Sequence, residues 1–371
     1  MANPASGVLS RSRTWAEVDL GAVRHNVRTL KRRAAGARLM AVVKADAYGH
    51  GAVPVAHAAV EAGVDSLAVV TIEEGAELRR AGLETPILVF TDLQPGRLPL
   101  AREYRLAVTA HSIPSAKRIA ANPGLEAHLK VNTGMNRWGV EPFEVGETRK
   151  ILGSLLAGVY THFASADSDE WATRCQIGVF ESVLAAHPFG GVLVHAANSA
   201  ATLWHPGARY DCVRPGVALY GLHPAGDHGD PAEEGLMPAM ALKSYVAGVR
   251  RLEPGDGVSY GLTFRAERPT FAATVPVGYA EGYRRALSGR AEALIGGKRR
   301  FLLGRVTMDA CVFGVDEGVE VGEEVVLLGG QGGERVGAEE LGHLAGTINY
   351  EITTGVNPRR VERSYEDVRG S

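Results

Sequence analysis

Seven short apolar runs constrain the first part of this chain: "ARLMAVVKA", "DSLAVVT", "TPILVF", "RLAVTA", "LEAHLKVN", "LAGVYTHFA" and "GVLVHAAN", each followed by a Gly, Pro or Asp signal or by an amphipathic stretch. Such runs read as buried strands, and the amphipathic stretches between them as helices. After "VDL", Val23, Val27 and Leu30 share one helical face, and Asp19 stands where a cap is needed. Seven or eight βα units in about 220 residues predict a closed parallel barrel, a (β/α)8 TIM-like fold. No GxGxxG follows the first strand, which argues against an open dinucleotide-binding sheet.

Residues 222–238, "LHPAGDHGDPAEEGLMP", are rich in Gly, Pro and Asp and read as a linker. Beyond them the apolar period becomes two, in "MALKSYVAGVRRL", "TFAATVPVG", "AEALIGGKRRFLLGRV", "ACVFGV" and "EEVVLLG". This predicts a C-terminal all-β domain with one short helix around "GAEELGHLAG" and a hairpin turn in "GGQGGERVG". The expected division is an α/β barrel over residues 14–235 and a β domain over 236–371, with a strand at about 12–20 that can join the second.

Composition excludes several classes. With 371 residues, 45% hydrophobic and 22% charged, the chain can bury a large core. A net charge of -2, with both signs interspersed, offers no stripe for nucleic acid, so the expected ligand is small. Cys175, Cys212 and Cys311 are far apart and lack disulfide or zinc spacing, so reduced thiols and no metal are expected. "MANPASGVLSRSR" has no apolar signal region, and no run approaches the roughly 18 apolar residues of a membrane span. A cytoplasmic location away from membranes is the expectation.

Polar groups recur at one end of the expected barrel, where catalytic residues of such folds sit. Lys44 closes "ARLMAVVKA"; Lys130 and Arg137 follow "HL"; His162 closes "GVYTH"; Asn198 and Ser199 follow "VHAA"; Arg214, Gly216 and Tyr220 lie in "YDCVRPGVALYG". Alone, Lys44 reads as a lysine reaching from a core edge into water. Alone, Ser199 reads as a helix cap. Arg214 alone reads equally well as a structural partner of Asp167 or Asp211.

Nine motifs taken together, "VVKADAYGHG", "KVNTGMNRWG", "THFASAD", "HAANSA", "VRPGVALYG", "VSYGLTF", "VPVGYAEGY", "GRVTMDAC" and "TINYE", occur in the order found in the alanine racemases. The chain resembles that family, fold-type III pyridoxal phosphate (PLP) enzymes, from about Thr14 to about Tyr365. The resemblance implies interconversion of L-alanine and D-alanine, with D-alanine destined for peptidoglycan, by a homodimer with shared active sites. It implies that Lys44 holds pyridoxal 5'-phosphate as an imine. A free lysine, with pKa about 10.4, is too protonated for this at neutral pH unless burial and neighbouring cations lower it. Tyr48, Ser199, Gly216, Val217 and Tyr350 are implied to contact the phosphate, and His162 and Asn198 to complete the cofactor site.

By the same resemblance Arg214 faces the cofactor's ring nitrogen and, being always charged, keeps it unprotonated, which suits a short-lived carbanion. Lys44 and Tyr260 are the two bases, one for each face of the substrate carbon. An ordinary phenol, with pKa about 10, needs help, and His162 is the implied source. Arg137 and the backbone N–H of Met308 are implied to hold the substrate carboxylate. Lys130 matches a lysine often carbamylated in the family. Two residues on, Asn132 replaces the usual aspartate, and a hydrogen bond from Asn132 to such a carbamate is expected. Tyr279, Tyr350, Asp167, Arg285 and Arg305 match positions at the substrate mouth, whose crowding favours alanine. The rival readings are a racemase that also accepts serine and a fold-type III amino acid decarboxylase, which would need room for a long side chain.

Overall fold

The computed structural model describes residues 12–91 and 93–367. The opening stretch through position 11, part of the segment read above for a signal region, lies outside the described residues. The described residues form two compact units: residues 23–219 with 234–236, and residues 12–22 with 220–233 and 237–367.

The first unit is the expected barrel. After β1 (Trp15–Asp19), which belongs to the other unit, eight parallel strands follow: β2 (Arg38–Val42), β3 (Ser66–Val69), β4 (Ile87–Val89), β5 (Val108–Ala110), β6 (Ala127–Lys130), β7 (Leu156–Tyr160), β8 (Leu193–His195) and β9 (Cys212–Val213). They pair in the order β4-β3-β2-β9-β8-β7-β6-β5. A parallel bridge from Leu88 to Ala107 closes the ring, and the Val89 N–H donates to the Ala107 carbonyl at 2.9 Å. Met40, Val42, Ala68, Leu88 and Cys212 form one of its apolar clusters. The helix Leu20–Ala34 buries Val23, Val27 and Leu30, and Asp19 Oδ1 caps it by accepting from the Ala22 N–H at 3.0 Å.

The second unit is rich in strands. β10 (Met240–Tyr245) lies antiparallel to β1 on one side and to Glu324–Gln331 on the other, while β1 runs parallel to Glu362–Glu366. Gly332 and Gly333, both at positive φ, make the expected two-residue hairpin turn between Gln331 and Glu334. Two expectations need correction. Where one helix was expected there are two, Ala338–Ala345 and Asn349–Thr354. The second, "NYEITT", carries β-branched residues that favour strands, but burial of Asn349, Ile352 and Thr353 overrides that weak preference. The stretch read as a linker is folded for most of its length: the His223 N–H donates to Glu339 Oε1 at 2.9 Å, and Asn349 Nδ2 donates to the His223 carbonyl at 2.9 Å. Among the described residues no helix is long and apolar enough to cross a membrane, and all three cysteines are free.

Candidate active site

The apolar run of β2 ends in Val42 and Val43, and the next residue is Lys44. Ala45, Asp46, Ala47 and Tyr48 then all take left-handed backbone angles, with φ between 51° and 53°. For residues with a Cβ this costs about 1–2 kcal/mol each, so the surroundings must hold the turn. Glu74 Oε1 accepts from the Ala45 N–H at 2.7 Å, and Asp46 Oδ1 accepts from the Ala52 N–H at 2.7 Å. The turn directs Tyr48 back toward Gly216, where a Cβ would lie 2.5 Å from the Tyr48 hydroxyl oxygen. A side chain there would push the Tyr48 hydroxyl aside.

Asn198, not Ser199, is the cap of the short helix Ser199–Trp204, since its Oδ1 accepts from the Ala201 N–H at 2.9 Å. That leaves Ser199 Oγ to accept from the N–H groups of Gly216, at 2.9 Å, and Ala218, at 3.3 Å. Val217 between them is buried. The serine hydroxyl, the tyrosine hydroxyl and this turn of backbone N–H groups make a cradle with the donor chemistry for a phosphate. The residues present therefore fit pyridoxal phosphate.

A cluster of cations shares this end of the barrel. Burial, followed by the Arg137 guanidinium, lowers the Lys44 pKa, while Glu74 opposes the shift. Burial, then Arg214, Arg137 and Lys44, brings Lys130 down to about 7. Lys130 and Arg214 both lie against the ring of Tyr160, at 5.6 and 5.0 Å from its centroid. Arg137 is exposed.

Arg214 is buried, and its partners exclude the alternative of a structural ion pair with Asp167 or Asp211. It contacts His195 Nδ1 at 2.9 Å and His162 Nδ1 at 3.3 Å, and donates to the carbonyls of Thr161 and Ala196. Among the described residues no carboxylate pairs with it. Burial lowers its pKa only to about 10, so it stays charged at neutral pH. A guanidinium can only donate, which makes both Nδ1 atoms acceptors and places the proton of each ring on Nε2. His195 Nε2 in turn lies 2.8 Å from His128 Nδ1. Burial and then Arg214 hold His162 and His195 well below the usual histidine range and His128 at about 4. His162, His195 and His128 are thus neutral rings in fixed tautomers around one buried cation. Gly158 on β7 leaves the room this needs, since a Cβ there would lie 2.3 Å from His128 Nδ1.

His128, His195, Tyr160 and Glu74 were missed in the sequence. His128 stands inside the run "LEAHLKVN" and His195 opens the motif "HAANSA", and His128 precedes Lys130 by two positions on β6, the spacing that puts two side chains on one face of a strand. The expected hydrogen bond from Asn132 toward Lys130 is not made. Asn132 Nδ2 donates instead to Asn136 Oδ1 at 2.9 Å and Glu141 Oε1 at 2.8 Å, and its Oδ1 accepts from the N–H groups of Gly134 and Asn136. Both amide protons are spent on organising the loop after β6.

Apart from Asp167, which follows β7 in the barrel unit, the remaining expected residues belong to the strand-rich unit. Tyr260 lies between Ser259 and Gly261, both at positive φ, and is 74% exposed. Ser259 Oγ donates to the Arg305 carbonyl at 2.7 Å. The Tyr279 N–H donates to the Thr307 carbonyl, and the Ala280 N–H to the Met308 carbonyl. Three loops therefore bring Tyr260, Arg305, Met308 and Tyr279 together, with Met308 56% and Tyr279 43% exposed. The Tyr350 hydroxyl donates to the Pro224 carbonyl at 3.1 Å, and Arg285 opens the turn Arg285–Leu287.

A closed parallel barrel with a pKa-lowered lysine at one strand end and an anion cradle beside it defines a barrel enzyme of the amine–carbonyl type. Residues 18–224 match the profile described as alanine racemase, N-terminal domain, and residues 239–365 that of the alanine racemase C-terminal domain. The chain belongs to the alanine racemase family. It is 48% identical over 367 residues to the alanine racemase of Symbiobacterium thermophilum, covering 95% of this chain and 97% of that one. The alanine racemase structure from D-cycloserine-producing Streptomyces lavendulae superposes with a TM-score of 0.90 at 40% identity, over 96% of this chain and 97% of that one. That of Bacillus anthracis with bound L-Ala-P gives 0.88 at 37% identity, over 97% and 96%.

Gly216→Ala forces the Tyr48 hydroxyl out of the cradle. The expected result is cofactor affinity weaker by at least about tenfold, the equivalent of 1.4 kcal/mol, measured by titrating cofactor into the apoprotein. Unchanged affinity would remove Gly216 and Tyr48 from the phosphate site.

Proposed function

We propose that this protein interconverts L-alanine and D-alanine with pyridoxal 5'-phosphate, by two bases contributed by two chains of a homodimer, and so supplies D-alanine for the cell wall. The observation that carries the reading is Lys44, a partly buried amine whose pKa is lowered, beside the cradle of Tyr48, Ser199 and Gly216–Ala218. Pyridoxal phosphate, when bound, supplies a carbonyl that captures amines and a ring that withdraws electrons from the substrate α-carbon. Tyr48, Ser199 and the N–H groups around Val217 bind its phosphate. Arg214, charged and held by His162 and His195, would face the ring nitrogen and keep it unprotonated. Arg137 holds the substrate carboxylate with a planar pair of donors. Lys44 takes or gives the α-proton on one face, and Tyr260 of the partner subunit does so on the other. The aromatic and apolar exposure around Tyr260, Leu262, Tyr279 and Met308 supports a surface that a second chain covers. The activity is tested by following the optical rotation of L-alanine with the loaded enzyme. Alanine that stays L with cofactor present would overturn the reading.

The shared site has its own test. Mixtures of Lys44→Ala and Tyr260→Phe chains, allowed to exchange subunits, regain activity through heterodimers carrying one intact site. Absence of recovery after demonstrated exchange contradicts sharing.

Lys130 is the residue for a carbamate. Its amine attacks carbon dioxide, forming an N–C bond and releasing one proton, and only the neutral amine can do so. With a pKa of about 7 the neutral form predominates above neutrality and vanishes as the pH falls below it. The product anion sits among Arg214, Arg137 and Lys44, the cations that depress the amine. Protein equilibrated with 13C-bicarbonate is expected to show one carbamate resonance that fades below pH 7 and is absent in Lys130→Ala. No resonance at any pH would refute the assignment.

A further inference from the structure

Away from the residues discussed above, two histidines converge on one carboxylate. His228 Nδ1 lies 3.5 Å from Asp227 Oδ1, and His343 Nδ1 lies 3.5 Å from Asp227 Oδ2. The ligand atoms of all three residues fall within 4.8 Å of one another. Both contacts are longer than the usual 2.7–3.2 Å of an N–H···O hydrogen bond, and each is an ion pair only when its imidazole is protonated. A four-coordinate zinc ion with bonds of about 2.0–2.1 Å spaces neighbouring ligand atoms by about 3.3–3.4 Å; the two 3.5 Å contacts fall on different oxygens of Asp227, so rotation of these side chains has to bring the three ligand atoms onto one ion.

The scaffold around them is held by other residues. Asp227 and His228 lie in the loop after Leu222, where Gly226, at φ 86°, brings the backbone against Ile348: a Cβ there would lie 2.7 Å from its Cγ2. Asn349 ties this loop to the helix Ala338–Ala345 by donating from its backbone N–H to the Gly226 carbonyl and from Nδ2 to Glu339 Oε1, which also accepts from the His223 N–H. His343 occupies the last turn of that helix, where the carbonyl ends favour a cation. Two imidazoles and one carboxylate suit zinc and its borderline neighbours over calcium or magnesium, which take oxygen ligands.

We infer that Asp227, His228 and His343 form a binding site for a divalent transition metal of the zinc class, with water completing the coordination. The ion clasps the loop carrying Asp227 to the helix carrying His343. Pro224 in the same loop receives the Tyr350 hydroxyl, so the clasp also braces a residue assigned to the substrate mouth.

The test uses tag-free holoenzyme freed of unbound cofactor and metal, titrated with zinc chloride against a chromophoric chelator. One ion per chain is expected, with micromolar affinity and a rise in thermal midpoint. His228→Ala and His343→Ala should each weaken binding by at least about tenfold and abolish the metal-dependent rise while keeping the metal-free midpoint. Cys175→Ser should change neither, since this exposed thiol is the obvious rival ligand. Binding that survives in the double histidine variant, is lost in Cys175→Ser, or is absent in the native chain overturns the inference.

Discussion

Lys44→Ala is expected to lose racemisation by at least about 10⁴-fold, because the proposed function gives one side chain both the covalent hold on the cofactor and a proton-transfer role. The stringent part of this prediction concerns Lys130. Both amines lie in the same cation cluster with lowered pKa values, so titration alone does not decide which one reacts. Placement decides. Lys44 begins the left-handed turn that carries Tyr48 to Gly216, which links it covalently and sterically to the phosphate cradle. Lys130 lies instead across the ring of Tyr160. Borohydride reduction of the loaded enzyme followed by peptide mass analysis should therefore place the cofactor on the peptide containing Lys44, and Lys44→Ala should show no reducible cofactor. A reduced adduct on Lys130 would overturn the assignment. Imine formation between the cofactor-free protein and added pyridoxal phosphate should set in, as the pH rises, at a pH below that needed for free lysine.

Tyr260→Phe carries the second largest expected effect, a loss of at least about a hundredfold, the ordinary cost of deleting a general acid or base. The substitution removes one oxygen from a side chain that is 74% exposed, so stability should change by less than about 0.5 kcal/mol. Its signature is asymmetric. Exchange of the substrate α-hydrogen with deuterated solvent should fail for one enantiomer and persist for the other, since Lys44 still serves its own face. Equal and mild losses for both enantiomers would reduce Tyr260 to a packing residue.

Much of the site was legible because strand ends are visible in a linear chain. An apolar run that stops at Lys44, Lys130 or His162 marks both a strand and the side chain its end presents. The hairpin at Gly332 and Gly333 was legible for a similar reason, since consecutive residues at positive φ call for glycine. The turn after Lys44 was not, because Ala45, Asp46, Ala47 and Tyr48 take positive φ without any glycine to announce it. Asn132 was misread because its position beside Lys130 in sequence says nothing about where its amide finds acceptors. Asn136 and Glu141 take both of its amide protons.

The sequence by itself determined what depends on local period and residue chemistry: a parallel barrel followed by strands of period two, a lysine at a strand end, and further polar groups gathered at the same end of the barrel. Tertiary structure alone decided what depends on closing the ring. His128, His195 and Arg214 come from β6, β8 and the segment after β9, and only pairing in barrel order brings their nitrogens within 2.9 Å along the chain of contacts. The same closure buries Arg214 with no carboxylate paired to it among the described residues, and drives three histidines to neutrality. Burial and mutual charge are properties of the assembled site, because the energy of a charge depends on the solvent it loses and on the charges folding places beside it.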